Sequence, residues 1–164
     1  SGSMRLLIRT AFLTTTALMQ GLRSIPGTAV AVGTFSTFEE EDDQQVPYVA
    51  PLLGFNEHER RMCLAQPPYV GNTPMAEAIC CVAPRLLFRR EPRRLLIVMT
   101  DGVPDNIEAT QEIIRKCRSA GLEVYGVGIM EEAVKPLFGE QCAIVVKTLD
   151  ELPERLFRLL ANRL

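Results

Sequence analysis

From Pro67 to the end of the chain, two hydrophobic patterns take turns. Stretches with apolar residues three and four positions apart predict helices, and unbroken apolar runs of four to eight residues predict covered strands. Met75, Ile79, Val82 and Leu86 place a helix over Pro74–Leu87, and Leu95-Leu96-Ile97-Val98-Met99 reads as a strand covered on both faces. Asp105 with Glu108 three residues later predicts a capping box opening a helix that Ala109–Arg118 continues and Gly121 ends. Leu122–Ile129 is the next apolar strand, Glu131–Leu137 a short helix, and Ala143–Val146 a further strand. Leu152–Leu164 closes the pattern as an amphipathic helix, with Pro153 in its first turn and Leu152, Leu156, Leu159, Leu160 and Leu164 on one side.

The front of the chain follows the same grammar. Arg5–Ile25 predicts a long helix broken before Pro26-Gly27, and Thr28–Ser36 predicts a strand. Residues 38–66 are irregular, with five consecutive carboxylates at 39–43 and a short edge strand over Pro47–Leu53. Strand and helix in repeated alternation require parallel strands joined by helical crossovers. The expected fold class is therefore α/β: one domain over residues 1–164, a doubly wound, mostly parallel sheet with helices on both faces.

Composition narrows the function classes. With 47% hydrophobic and 23% charged residues, 164 residues build one ordinary core. A net charge of −2 provides no general field for nucleic acid or an anionic membrane, although Arg85, Arg89, Arg90, Arg93 and Arg94 cluster locally. Five cysteines without metal-like spacing read as thiols of a reducing compartment, and one of the adjacent pair Cys80 and Cys81 is expected to face the core. Met4–Ala31 imitates a signal peptide, but Thr14, Thr15, Thr16 and Gln20 interrupt its apolar run, so cytoplasm is the expected location. His58, in an irregular segment, reads as a surface residue, and no nucleophilic triad can be built on it. The acidic run at 39–43 reads as a solvated loop, with a second cation or a basic partner surface as the sharper alternative.

In doubly wound sheets, ligands bind beyond the carboxyl ends of the strands. The strand Leu95–Met99 runs into Thr100-Asp101-Gly102, which puts a carboxylate on that rim. Gly71-Asn72-Thr73-Pro74 brings a hydroxyl in the loop before a helix, and the chain opens on Ser1-Gly2-Ser3-Met4. Ser1, Ser3, Thr73 and Asp101 thus form an all-oxygen set of low charge, suited to a hard cation that keeps several waters. Taken singly, Thr73 also reads as a helix cap, Asp101 as a turn residue, and Ser1-Gly2-Ser3 as an appendage ahead of a native Met4.

Taken together, the three segments resemble the metal-ion-dependent adhesion site (MIDAS) of von Willebrand factor A (VWA) domains. Ser1-Gly2-Ser3-Met4 matches the end of that family's Asp-x-Ser-x-Ser piece, Gly71-Asn72-Thr73 its threonine loop, and Thr100-Asp101-Gly102 its post-strand aspartate. The likeness extends along the whole chain, and among intracellular members it is most similar to the T-type subunits of cobaltochelatase and the D-type subunits of magnesium chelatase. It implies a Rossmann-like VWA fold that is a non-catalytic binding module. Mg²⁺ or Mn²⁺ would be held by Ser1, Ser3, Thr73 and Asp101, and a protein partner, such as an AAA+ ATPase, would offer a Glu or Asp carboxylate.

The family's leading aspartate and its central strand would precede Ser1. That implies the C-terminal part of a longer protein, weak metal affinity in this chain, and open edges on the neighbouring strands. Such edges would be filled by upstream residues or by a strand-swapped or edge-paired second copy. Two other function classes compete: a phosphoryl-transfer or hydrolytic enzyme using Asp101, and a structural domain with a vestigial metal site. Against the enzyme, no Walker-type glycine-rich loop is present, and Lys116, Lys135 and Lys147 sit in no phosphate-binding motif.

Overall fold

A computed structural model describes residues 2–39, 44–58 and 72–161. The chain divides into two compact units, Ser1–Gly71 and Asn72–Leu164.

In the first unit, helix α1 spans Gly2–Arg23 and is followed by an antiparallel hairpin of β1 (Val32–Glu39) and β2 (Gln45–Leu53). The helix begins earlier than the expected Arg5, so Ser3 lies in its first turn rather than in a loop before it. Strand β2 is longer than the expected edge strand. Its two prolines, Pro47 opposite Thr37 and Pro51 opposite Gly33, share one phase of the hydrogen-bond alternation, where a missing N–H is tolerated. Met19 and Leu53 form the buried centre of this unit, with Phe12, Val30 and Val32 packed around them. The Arg23 guanidinium fastens helix to hairpin by donating to the carbonyls of Glu57 (2.7 Å), Val30 (2.9 Å) and Gly54 (3.0 Å). Three carbonyls on one guanidinium tie the end of the helix to the chain before β1 and after β2.

The second unit is a parallel three-stranded sheet flanked by helices. Its elements are α2 (Met75–Leu87), β3 (Leu95–Thr100), α3 (Ile107–Ser119), β4 (Glu123–Ile129), α4 (Val134–Phe138), β5 (Ala143–Val146) and α5 (Leu152–Ala161), with strand order β3-β4-β5. Leu95 pairs with Glu123 and Thr100 with Gly128, and Gly126 pairs with Ala143. Strand β4 is buried at every residue from Val124 to Ile129, as a central strand should be. Strand β3, expected to be covered on both faces, is half-buried at most positions. The reason is topological: among the described residues β3 is paired only with β4, and β1 only with β2, so each keeps one open edge.

Helix α5 docks on β5 through buried Leu152, Leu156 and Leu159, as its sequence period requires. Tight packing decides the other face: a methyl group on Gly126 would meet the Phe138 ring at 2.4 Å, so the fully buried ring takes the place of a side chain there. Arg118 locks this region by donating to the carbonyls of Val124 (2.8 Å) and Phe138 (2.7 Å). At the amino end of the sheet Arg93 holds Glu123 in a two-point ion pair (2.5 and 2.9 Å), and the Tyr125 hydroxyl donates to the same carboxylate at 2.7 Å. That carboxylate raises the Arg93 pKa further, so the pair stays charged at any physiological pH.

Two local expectations are corrected. Helix α3 is capped by Asn106, whose side-chain oxygen accepts from the Ala109 N–H at 2.9 Å, and not by Asp105; the Asp105–Glu108 capping box does not form. Cys80 and Cys81 are both exposed, so neither faces the core as expected, whereas Cys117 and Cys142 are buried. His58 is exposed, as its sequence context suggested. Residues 40–43 of the acidic run, and Ser1, lie outside the described residues. No helix among those described is long and apolar enough to cross a membrane.

Candidate functional site

The carboxyl rim of the three-stranded sheet is organised by two loops, one before α2 and one after β3. Strand β3 ends in Thr100, whose hydroxyl folds the next residues back by accepting from the Gly102 N–H (3.1 Å) and donating to the Gly102 carbonyl (2.9 Å). This turn leaves Asp101 exposed at the rim. Pro104 is buried just beyond it, anchoring the loop while Asp101 points clear of the core.

Asp105, displaced from its expected capping role, joins the second loop to the first. Its carboxylate accepts from the Thr73 N–H at 2.9 Å, and its own N–H donates to the Thr73 carbonyl at 3.0 Å. The two bonds form a reciprocal clamp between residues 32 apart in sequence, and they bring Thr73 beside the Asp101 turn. The approach is close: a methyl group added to Gly102 would meet the Thr73 hydroxyl oxygen at 3.0 Å. Only glycine leaves that space open, so the small gap between hydroxyl and turn is a cradle that a side chain would fill.

The Thr73 hydroxyl is also spared the bland role the sequence allowed it. Pro74 occupies the cap position of α2, and no side-chain hydrogen bond caps that helix. The Thr73 carbonyl instead serves backbone, accepting from the Met75 N–H at 2.7 Å as well as from Asp105. Of the four expected ligands, Thr73 and Asp101 therefore lie on neighbouring loops of one rim. Ser3 lies in α1 of the other unit with its side chain outside the described set, and Ser1 lies outside it altogether.

The oxygen donors fit a hard cation better than a soft one. Among the described residues no three of His, Cys, Asp and Glu converge, so a cation at this rim would rest on hydroxyl, carboxylate and water oxygens. Sequence reasoning missed two contributors to the rim. Thr100 builds the turn with its hydroxyl, and Met130, just past β4, adopts a left-handed φ of 58°. A threonine ending an apolar strand is a signal that could have been read; the Met130 conformation had none.

No protein-family model matches the sequence, and no curated protein matches it either. Solved structures do match in fold. The proximal thread matrix protein 1 of the mussel byssus superposes with a TM-score of 0.73 at 15% identity, covering 97% of this chain and 44% of that one. The same protein with a zinc-occupied MIDAS motif gives the same values. The manganese-loaded TRAP protein of Plasmodium vivax superposes with a TM-score of 0.67 at 17% identity, covering 93% of this chain and 65% of that one. The chain thus spans less than half of the mussel protein and about two-thirds of the Plasmodium one. At such identities it is the path of the backbone that is shared. That path, with a parallel sheet flanked by helices and loops gathered at its carboxyl rim, is the von Willebrand factor A fold.

Proposed function

We propose that this chain is a non-catalytic interaction module that takes up a divalent cation at the sheet rim and binds a protein partner through it. Thr73 and Asp101 would hold the cation, and the resemblance of the sequence adds the hydroxyls of Ser1 and Ser3 as candidate ligands. When bound, a hard cation of the Mg²⁺ or Mn²⁺ kind supplies an open coordination position that a Glu or Asp side chain of the partner can fill. The protein's own contribution is positional. Gly102 keeps the space beside the Thr73 hydroxyl clear, Asp105 clamps the two loops, and the Thr100 turn presents Asp101 outward. The observation that carries this reading is the close approach of the Thr73 hydroxyl, which caps no helix, to Gly102 in the turn that presents Asp101.

The zinc-occupied and manganese-loaded states of the two structural relatives support a divalent ion at this rim. The resemblance to chelatase subunits makes an AAA+ ATPase ring the partner of choice, in a reducing, cytoplasmic setting. Calorimetry with Mg²⁺ and Mn²⁺ tests the site. Binding should fall at least tenfold in Asp101→Ala; divalent binding untouched by that change would remove Asp101 from the site.

A further inference from the structure

We propose that the turn after α2 is a separate docking surface, independent of the cation rim. On it Phe88 and the guanidinium groups of Arg85 and Arg90 receive a carboxylate-rich segment of a protein partner that carries an apolar side chain among its acidic residues. Residues 85–94 lead into the first residue of β3, so this surface lies at the amino end of the sheet. Asp101 lies past the other end of the same six-residue strand, ~20 Å away along it. Five arginines and one glutamate stand among residues 85–94 of a chain whose net charge is −2. The structure sorts these arginines by what they already hold. Arg93 is held by Glu123 through two bonds (2.5 and 2.9 Å), Arg89 is paired with Glu91, and Arg94 donates to the Leu87 carbonyl at 3.1 Å. Glu91 and Glu123 are thereby engaged. Arg85 and Arg90 are exposed, and among the described residues neither has a hydrogen-bond or ion-pair partner.

Between these two free cations stands Phe88, at 88% the most exposed large apolar residue among those described. A single exposed ring is ordinary on a protein surface, but this one is fixed in place. Phe88 is the C-cap of α2 and keeps helical angles (φ −76°, ψ −5°). Its N–H donates to the Pro84 carbonyl at 3.1 Å, and the Arg89 N–H donates to the Leu86 carbonyl at 3.0 Å. Arg94, from beyond the turn, secures the Leu87 carbonyl. Helical spacing therefore sets Arg85 one turn before Phe88, with ~5–6 Å between their Cβ atoms, and Arg90 follows two residues later. A backbone already ordered in this way loses little freedom when a partner docks, and the ring offers apolar area with few rotatable bonds. Charge selects the occupant. The basic island is small on a chain that is acidic overall, so a short carboxylate-rich segment meets only the island. A nucleic-acid strand or an anionic bilayer extends past it and meets carboxylates elsewhere on the surface. One ring is also a poor platform for a strand of successive bases.

Fluorescence anisotropy with the full chain in EDTA tests this, since removing divalent ions silences the rim and leaves the turn as it is. The probe is a labelled peptide with a leucine between runs of aspartate, and its companion carries serine in place of the leucine. The leucine peptide should bind about tenfold more tightly than the serine one. Arg85→Glu combined with Arg90→Glu should weaken both peptides about tenfold. Phe88→Ser should bring the leucine peptide down to the level of the serine one, whereas Phe88→Leu should keep most of the preference. Melting temperatures should stay near wild type in all of these variants, because the three side chains are exposed. Equal affinity for the two peptides, an affinity unmoved by the charge reversal, or no binding of either peptide overturns the proposal. So does tighter binding of a single-stranded oligonucleotide, or of phosphatidylserine vesicles, than of the leucine peptide.

Discussion

The clamp made by Asp105 lends itself to a direct test, because its two hydrogen bonds can be separated. Asp105→Ala removes the carboxylate that accepts from the Thr73 N–H, but it leaves the Asp105 N–H donating to the Thr73 carbonyl. The Thr73 amide is near solvent, so water replaces the lost acceptor, and the net cost is about 1 kcal/mol rather than the full price of an orphaned buried donor. That amount corresponds to a factor of about five in any equilibrium it controls. Hydrogen exchange of the Thr73 amide in the metal-free chain should speed by about that factor in Asp105→Ala. Asp105→Asn, whose side-chain oxygen can still accept, should keep exchange close to wild type. Mg²⁺ affinity should follow the same order, falling several-fold in the alanine variant and little in the asparagine one. Exchange at Thr73 that does not change in Asp105→Ala would refute the clamp, and with it the reason for Thr73 to sit beside Asp101.

Two further outcomes are expected. Gly126→Ala should cost about 2 kcal/mol by forcing a methyl group into the Phe138 ring. That loss lowers the melting temperature by about 4–8 °C, and the cost should shrink when combined with Phe138→Leu; circular dichroism in a thermal scan measures both. Iodoacetamide should modify exposed Cys80 and Cys81 well before Cys117, whose thiol is buried and pushed above its ordinary pKa first by desolvation and then by the nearby Cys80. Since a raised pKa lowers the thiolate fraction at any given pH, Cys117 should need a more alkaline solution to react, as peptide mass mapping at stepped pH would reveal.

Much of the architecture was legible as period and punctuation. Leu152, Leu156 and Leu159 predicted which side of α5 is buried, because a helix returns to the same face every three to four residues whatever lies opposite. The run Leu122–Ile129 predicted a core strand, because a strand covered on both faces favours a stretch that carries no charge after Glu123. Gly121 marked the end of α3, and it does adopt a positive φ of 88° there. Thr73 and Asp101 were legible as candidates for a related reason: chain order places both just outside elements whose ends must share one rim.

What needed tertiary structure were choices between local options of nearly equal energy. Asp105 and Asn106 are equally good cap residues, and the one local signal that ranks them, Glu108 three residues after Asp105, favours the wrong one. Asn106 caps α3 because Asp105 is drawn to an amide 32 residues upstream. Cys80 and Cys81 could have divided between core and solvent by helical period, but the burial of α2 is centred on Met75, Ala76, Ala78, Ile79 and Ala83, which leaves both thiols outside. The half-buried state of β3 was hidden for a similar reason. Its residues are apolar enough for full burial, yet burial depends on what lies beside a strand, and that is a property of sheet order rather than of the strand itself. Local sequence thus determined which elements form and which way they face, since those follow from backbone geometry and side-chain period. The partners of individual polar groups were decided only when distant segments came within hydrogen-bond reach.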